Sequence, residues 1–187
     1  PKFTDFKPQF KEVDILNGLQ AVNELKEGHP VLDYVLKRKI PESYHSKLFL
    51  SNKFMAFVNK VKPNTFSHTK GEHPRLIIPF YDTDGKVFAF QGRAFGKEQP
   101  KYLTIKLDEN KQKVYGLETV NLQEHVTIVE GPIDSMFLNN CLAAAGADLT
   151  LRIEPDNITY IFDNEPRNKE IIKRMYDVIE KDYNLVV

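Results

Sequence analysis

One cysteine, Cys141, stands among 187 residues, which excludes an internal disulfide and any cysteine-rich zinc site. No apolar run approaches the roughly 20 residues that cross a bilayer. The opening stretch, PKFTDFKPQF, has no apolar signal core. Internal repeats and low-complexity tracts are absent as well. These absences predict a reduced, cytoplasmic setting with no membrane partner. What is present is 41% apolar and 28% charged residues, the balance of a soluble globular chain of one domain or two small ones.

The formal net charge of zero conceals an uneven distribution. Residues 1–36 carry 4 basic and 6 acidic side chains, residues 37–113 carry 16 and 7, and residues 114–187 carry 6 and 13. A basic block thus precedes an acidic one. Read functionally, that is a surface for a polyanion beside a site for cations. Read blandly, it is solvated charge divided by chance.

Periodicity changes along the chain. Leu16, Leu19, Val22 and Leu25 are spaced as one helical stripe, and Val31, Tyr34, Val35 and Arg38 as a second helix after His29-Pro30. From Phe54 to Tyr102 short β-like runs take over: FMAFVNKV, RLIIPFY and KVFAFQGRAF, the last two joined by a DTDG turn. From Val126 strands and helices alternate. VTIVE, LAAAG, ITYIFD and NLVV read as strands, PIDSMFLNNC and NKEIIKRMYDVIEKDY as helices. On the last helix Ile171, Ile172, Met175, Tyr176 and Ile179 are expected on one face, and Cys141 is expected in the core behind Ile133 and Phe137. Alternation of this kind predicts an α/β fold with a parallel sheet, preceded by a smaller mixed α+β part. The division is expected near residue 120, giving subdomains 1–120 and 121–187.

Carboxylates mark the strand ends. Glu130 closes VTIVE, and Asp163 closes ITYIFD with Glu165 two residues on. Ligands of open parallel sheets bind beyond the carboxyl ends of the strands. Gly131 permits a tight turn and Pro132 suits the first helical position, which puts Asp134 in the first turn of the next helix. Four converging carboxylates repel one another unless cations lie between them, and oxygen ligation completed by phosphates and water is the habit of Mg²⁺. Each acid also has a simpler explanation. Asp134 could favour the helix dipole, and Asp163 could cap the last helix. Glu130 is harder to explain away, because a carboxylate at the end of a buried strand needs compensation. The five histidines have no metal-like partners nearby in sequence.

IVEGPIDSMFL followed by YIFDNEPRN resembles the Toprim module, with its strand-ending Glu-Gly and later strand-ending Asp-x-Asp. Upstream, RLIIPFYDTDGKVFAFQGRAFGKEQPKYL and VYGLETV resemble the RNA-polymerase core of bacterial-type DNA primases. HPVLDYVLKRKIP is similar to that family's Y-L-x-x-R-G-I segment. The motifs run in the family's order from about His29 on, and the FDNEPRN variant looks most like the primases of tailed phages. Departures are visible: Glu165 and Asn164 in place of D-G-D, Gln91 for the first Gly of G-G-R, and Thr104 for the Asn after K-Y-L.

The resemblance implies template-directed synthesis of RNA primers on single-stranded DNA from ribonucleoside triphosphates, a nucleotidyltransferase reaction. It implies Mg²⁺, with Mn²⁺ as a substitute, held by Glu130, Asp134, Asp163 and Glu165, and no zinc in this stretch. Glu130, Asp163 and Glu165 would be catalytic, with Glu130 alternatively assisting proton transfer. Arg38, Arg93, Lys101, Tyr102 and Lys111 match positions that handle template or nucleotide. The family's zinc domain and helicase-binding region lie outside the matched stretch, so a replicative helicase would be met elsewhere. The Toprim part is expected to be cut slightly short at its C-terminal end. A Toprim nuclease or topoisomerase fragment, and a non-catalytic DNA-binding Toprim module, stay open as alternatives; the basic block favours the primase.

Overall fold

The fold is described from a computed structural model for residues 14–145, 157–165 and 167–187. Two sheets organise it. The first is antiparallel and five-stranded, in the order β1 (Gln20–Ala21), β2 (Phe49–Ser51), β3 (Arg75–Tyr81), β4 (Val87–Ala94), β5 (Tyr102–Lys106). Helix α1 (Pro30–Lys37) lies between β1 and β2, and α2 (Phe54–Val61) between β2 and β3. The second sheet is parallel: β6 (Val126–Val129), β7 (Cys141–Ala143), β8 (Ile158–Ile161) and β9 (Asn184–Val186) lie in the spatial order β7-β6-β8-β9. Between these strands run a short α3 (Pro132–Ser135) and α4 (Lys169–Glu180). The expected α/β architecture, a parallel sheet preceded by a mixed α+β part, is what the chain forms.

Strand β4 is almost wholly buried, and its alternation decides what faces where. Phe90 and Gly92 point one way, toward Phe54 and Val58 of α2 and Ile105 of β5. A Cβ on Gly92 would run into the Phe54 ring, so only glycine lets the helix lie this close. Gln91 and Arg93 point the other way, and the β4–β5 register sets Gln91 opposite Thr104 and Arg93 opposite Tyr102. Four polar or aromatic side chains thereby share one face. Behind them, Arg75 on β3 is buried against Phe54 and donates to the Gly92 and Pro100 carbonyls (2.8 and 2.9 Å) and to His73 Nε2 (2.9 Å). That satisfies a buried guanidinium that would otherwise be costly. Burial holds its pKa below the ordinary arginine value.

One apolar core joins the two sheets. Val31, Val35, Leu76, Ile78, Phe80 and Phe88 pack with Val129, Ile133, Met136, Cys141 and Ala143. A backbone bridge reinforces the junction, Tyr115 exchanging hydrogen bonds with Ala143 at 3.0 Å in each direction.

Several local expectations differ from what forms. FMAFVNKV is a helix, not a strand, because Phe54, Phe57, Val58 and Val61 bury at helical spacing. The Glu72 carboxylate caps it by accepting from the Met55 and Ala56 N–H groups (3.0 and 2.7 Å). The Leu16–Leu25 stripe is not an α-helix; Gln20 and Ala21 are taken up by pairing with Leu50 and Phe49, and a 3-10 turn follows at Val22–Glu24. PIDSMFLNNC is helical only to Ser135. The chain reverses at Asn140 (φ 45°), whose amide donates to the Asn121 and His125 carbonyls, so that Cys141 opens a strand and Phe137 stays exposed. On α4 the buried face is Ile171 and Val178 with Met175 beside them, while Tyr176 and Ile179 face solvent. The end of LAAAG, at Gly146, and Pro166 of FDNEPRN lie outside the described residues.

Candidate active site: a cleft between the two sheets

A cleft of about 750 Å³ opens where the β4–β5 face meets the carboxyl ends of the parallel strands. Its acidic lining is Glu130, Asp134, Asp163 and Glu165; its basic lining is Arg38, Lys101 and Lys113. Tyr102, Gln91 and Thr104 complete the polar surface. The two charge blocks of the sequence therefore face each other across one space.

Neighbouring strands β6 and β8 bring the acids together. Glu130 follows β6, and its Oε2 accepts the Asp163 backbone N–H at 3.2 Å. Its Oε1 pairs with Arg174 of α4 at 2.5 Å. Glu165 accepts from the Asn168 side chain (2.9 Å), and Asn168 in turn caps α4 by accepting from the Glu170 N–H at 3.1 Å. Asp163 is thus not the cap of that helix. Asp134 sits in the first turn of α3, its carboxylate packed where a Cβ on Gly131 would fall. Arg38 at the end of α1 reaches it at 3.9 Å, an exposed and weak pair. Burial, and then the charge of Asp163, push the Asp134 pKa up, with Arg38 opposing.

The basic lining sits around the sheet rather than in it, Arg38 at the end of α1, Lys101 just before β5 and Lys113 in the loop after it, and aromatic rings back it. Arg93 is buried, donates to the Ala94 carbonyl (2.5 Å) and lies 4.0 Å over the Tyr34 ring and 6.0 Å from that of Tyr102. It does not line the cleft itself but stands behind Tyr102, which does. The Lys101 ammonium lies 5.7 Å from the same ring. Gln91 donates to the Thr104 hydroxyl at 3.2 Å, and its own carbonyl oxygen is buried with no partner among the described residues. Lys111 pairs with Asp82 at the β3–β4 turn, over the Phe88 ring, and is not among the lining residues. Lys113, two residues on, is.

Four participants escaped the sequence reading. Lys113 was hidden by Lys111, its neighbour in an unpatterned loop. Gln91 and Thr104 were visible only as departures from the family pattern. Arg174 carried a usable signal, a cation between Ile171 and Val178 on the buried side of an amphipathic helix, which calls for an anionic partner.

The cleft's donor set suits a hard cation, since every anionic lining group offers oxygen and neither His nor Cys lines it. Among the described residues no group of three or more His, Cys, Asp or Glu is close enough together to hold a metal, zinc included. The fit is therefore to an ion that takes one or two carboxylates and fills its shell with phosphate and water, as Mg²⁺ does.

In sequence the chain is 37% identical over 183 residues to a DNA primase of enterobacteria phage T4, a match spanning 96% of this chain and 53% of that protein. It is 28% identical over 124 residues to a DNA primase of Clostridium acetobutylicum, 57% of this chain and 21% of that one. In structure it matches the Aquifex aeolicus primase (zinc-binding and RNA polymerase domains) with a TM-score of 0.62 at 20% identity, over 85% of this chain and 49% of that. The fold is that of the DNA primase catalytic cores. The Escherichia coli primase catalytic core matches likewise, with a TM-score of 0.59 at 18% identity over 80% of this chain and 60% of that one. The RNA polymerase domain of the Mycobacterium tuberculosis primase, solved with double-stranded DNA, gives 0.58 at 15% identity over 83% of this chain and 63% of that one. No protein-family model matches. The chain spans about half the length of the phage relative. The primase resemblance read from the motifs, strongest toward phage proteins, stands. Among the described residues no helix is long and apolar enough to cross a membrane.

Proposed function

We propose that the chain is the catalytic core of a DNA primase, a nucleotidyltransferase that joins ribonucleotides on a single-stranded DNA template. The observation that carries the reading is the pairing of walls: cationic side chains line one cleft together with carboxylates at the ends of parallel strands. In the reaction the primer's 3′ oxygen bonds to the nucleotide's α-phosphorus, the bond to the β-phosphate bridge breaks, and pyrophosphate leaves. The hydroxyl proton passes to water or to a cleft carboxylate. Lys101, Lys113 and Arg38 would neutralise triphosphate and template phosphates. Tyr102, braced from behind by Arg93, would stack on a base.

One or two of Asp134, Asp163 and Glu165 would hold each Mg²⁺ (or Mn²⁺) with the nucleotide's phosphates and water, and Glu130 would join them or remain outside the shell as a proton acceptor. Bound there, the ion would supply Lewis-acid stabilisation of charge on the phosphoryl oxygens and lower the pKa of the attacking hydroxyl. Lys111 would reach nucleic acid only by giving up Asp82. A partner helicase would engage regions outside this chain, and a bacterial host cytoplasm is the proposed setting.

The deciding experiment is primer synthesis on single-stranded DNA with labelled ribonucleotides and Mg²⁺, using the protein that carries this chain. Labelled oligoribonucleotides should appear, and should vanish in Asp163→Asn. Template cleavage in place of synthesis would overturn the reading.

A further inference from the structure

Among the described residues, Arg174 touches the acidic wall without being accounted for by the motifs or the proposed reaction. It leaves α4 between Ile171 and Val178, both buried, so its stem lies along apolar surface. Its guanidinium stands 5.8 Å over the Phe162 ring, and only 27% of the side chain is exposed. There it pairs with Glu130 Oε1 at 2.5 Å while the Asp163 N–H occupies Oε2. Both oxygens of Glu130 are thus engaged by donors of the protein. Asp134, by contrast, meets Arg38 at 3.9 Å, beyond hydrogen-bond range.

We propose that Arg174 is a positioning residue that serves as a built-in counter-cation for Glu130, holding it turned toward α4 until metal and nucleotide enter the cleft together. The inference rests on the metal-dependent reading above and adds to it a reason why the cleft would not fill with divalent ions alone. A fixed positive charge beside the carboxylates raises the local electrostatic potential and so disfavours a second cation. It also withholds one carboxylate from the shell, in keeping with the lack of a three-ligand cluster among the described residues. Entry of the nucleotide brings phosphate charge, which shifts the balance so that Arg174 yields Glu130 or turns to the phosphates. An arginine suits this role because its planar fork pairs with a carboxylate while stacking on a ring.

The test is titration with Mn²⁺ alone, read by paramagnetic resonance or calorimetry, without nucleotide. Arg174→Met should bind Mn²⁺ about tenfold more tightly than the parent, the effect of removing one nearby unit charge. Arg174→Lys should stay within about twofold of the parent, since the charge is kept. Introduced into Glu130→Gln, Arg174→Met should give less than half of that gain. Thermal unfolding of each variant reports whether the fold is retained, and Arg174→Gln, which also removes the charge and should tighten Mn²⁺ binding alike, carries the comparison if the Met variant unfolds. Mn²⁺ binding that is lost in Asp163→Asn but not tightened in Arg174→Met would overturn the counter-cation role and leave the metal reading intact. No Mn²⁺ binding in parent or variants would overturn both.

Discussion

The two walls of the cleft are built on opposite principles. On one side an antiparallel sheet, with strands of up to eight residues, fixes Gln91 against Thr104 and Arg93 against Tyr102 by cross-strand register, and Arg38, Lys101 and Lys113 stand at its margin. The acidic wall follows strands of four residues, on their loops and on the short α3, and its carboxylates rest on a few contacts to a backbone N–H, an asparagine amide or arginine. Strands specify side-chain direction through the whole sheet, whereas a strand-end loop specifies it only locally. Side-chain direction is therefore prebuilt on the sheet face, whereas the carboxylates are held by few contacts each.

The largest effect expected from that difference is on stability. Phe54 anchors α2 to the antiparallel sheet at 1% exposure, stacked edge-on with Phe66 and Phe90. Phe54→Ala should cost about 3–5 kcal/mol in denaturant unfolding. Ile171→Ala, under the parallel sheet, should cost about 2–3 kcal/mol. If the order reversed, the antiparallel wall would not be the more firmly held one.

Next in size is a functional effect confined to the acidic wall. Asp163→Asn should lower primer synthesis by at least about 100-fold, roughly 2.7 kcal/mol of transition-state stabilisation, with the melting temperature nearly unchanged. A variant that lost activity only by unfolding would show that Asp163 is structural and that the loops are as tightly built as the strands.

What could be read in advance follows the same division. The β3–β4 hairpin was legible because short β-like runs joined by a DTDG turn are local signals, and the α4 helix because its periodicity is strong. The acids at Glu130, Asp134, Asp163 and Glu165 could be grouped from strand ends alone, and they do line one cleft. Helix α2 was missed because FMAFVNKV is rich in β-favouring residues, and its cap, Glu72, lies far from it in sequence. The same holds for the Glu130–Arg174 pair and for Lys111 on Asp82: partners distant in sequence leave no periodic trace. The exposed side of α4 was misjudged because its helical spacing fits two neighbouring faces, and only contact with the sheet chooses Ile171 and Val178.

A smaller effect should separate basic side chains by position. Binding of a single-stranded oligonucleotide should weaken with salt, and Lys101→Ala and Arg38→Ala should each reduce the slope by about one counterion. Lys173→Ala, exposed on α4, should leave it unchanged. Equal slopes for all three would remove the basic wall's claim to be the phosphate surface.

The smallest effect probes the seam between the walls. Glu118 follows the Tyr115 bridge to β7, and its Oε2 is buried with no partner among the described residues. Burial raises its pKa above the ordinary 4.5, opposed by its own backbone N–H and by the charge of Lys47. The folded state therefore binds this proton more tightly than the unfolded chain does. Above the raised pKa the carboxylate works against folding; as pH falls through that value the penalty lifts, and it is gone once pH drops below the unfolded value near 4.5. Glu118→Gln is neutral throughout, so it should melt higher than the parent at pH 7–8, by less than about 3 °C for a chain of this size. That advantage should shrink steadily as the pH approaches 4. Parallel pH profiles for the two proteins would mean that water reaches Glu118, and that the two sheets meet across a wetter seam than their shared apolar core implies.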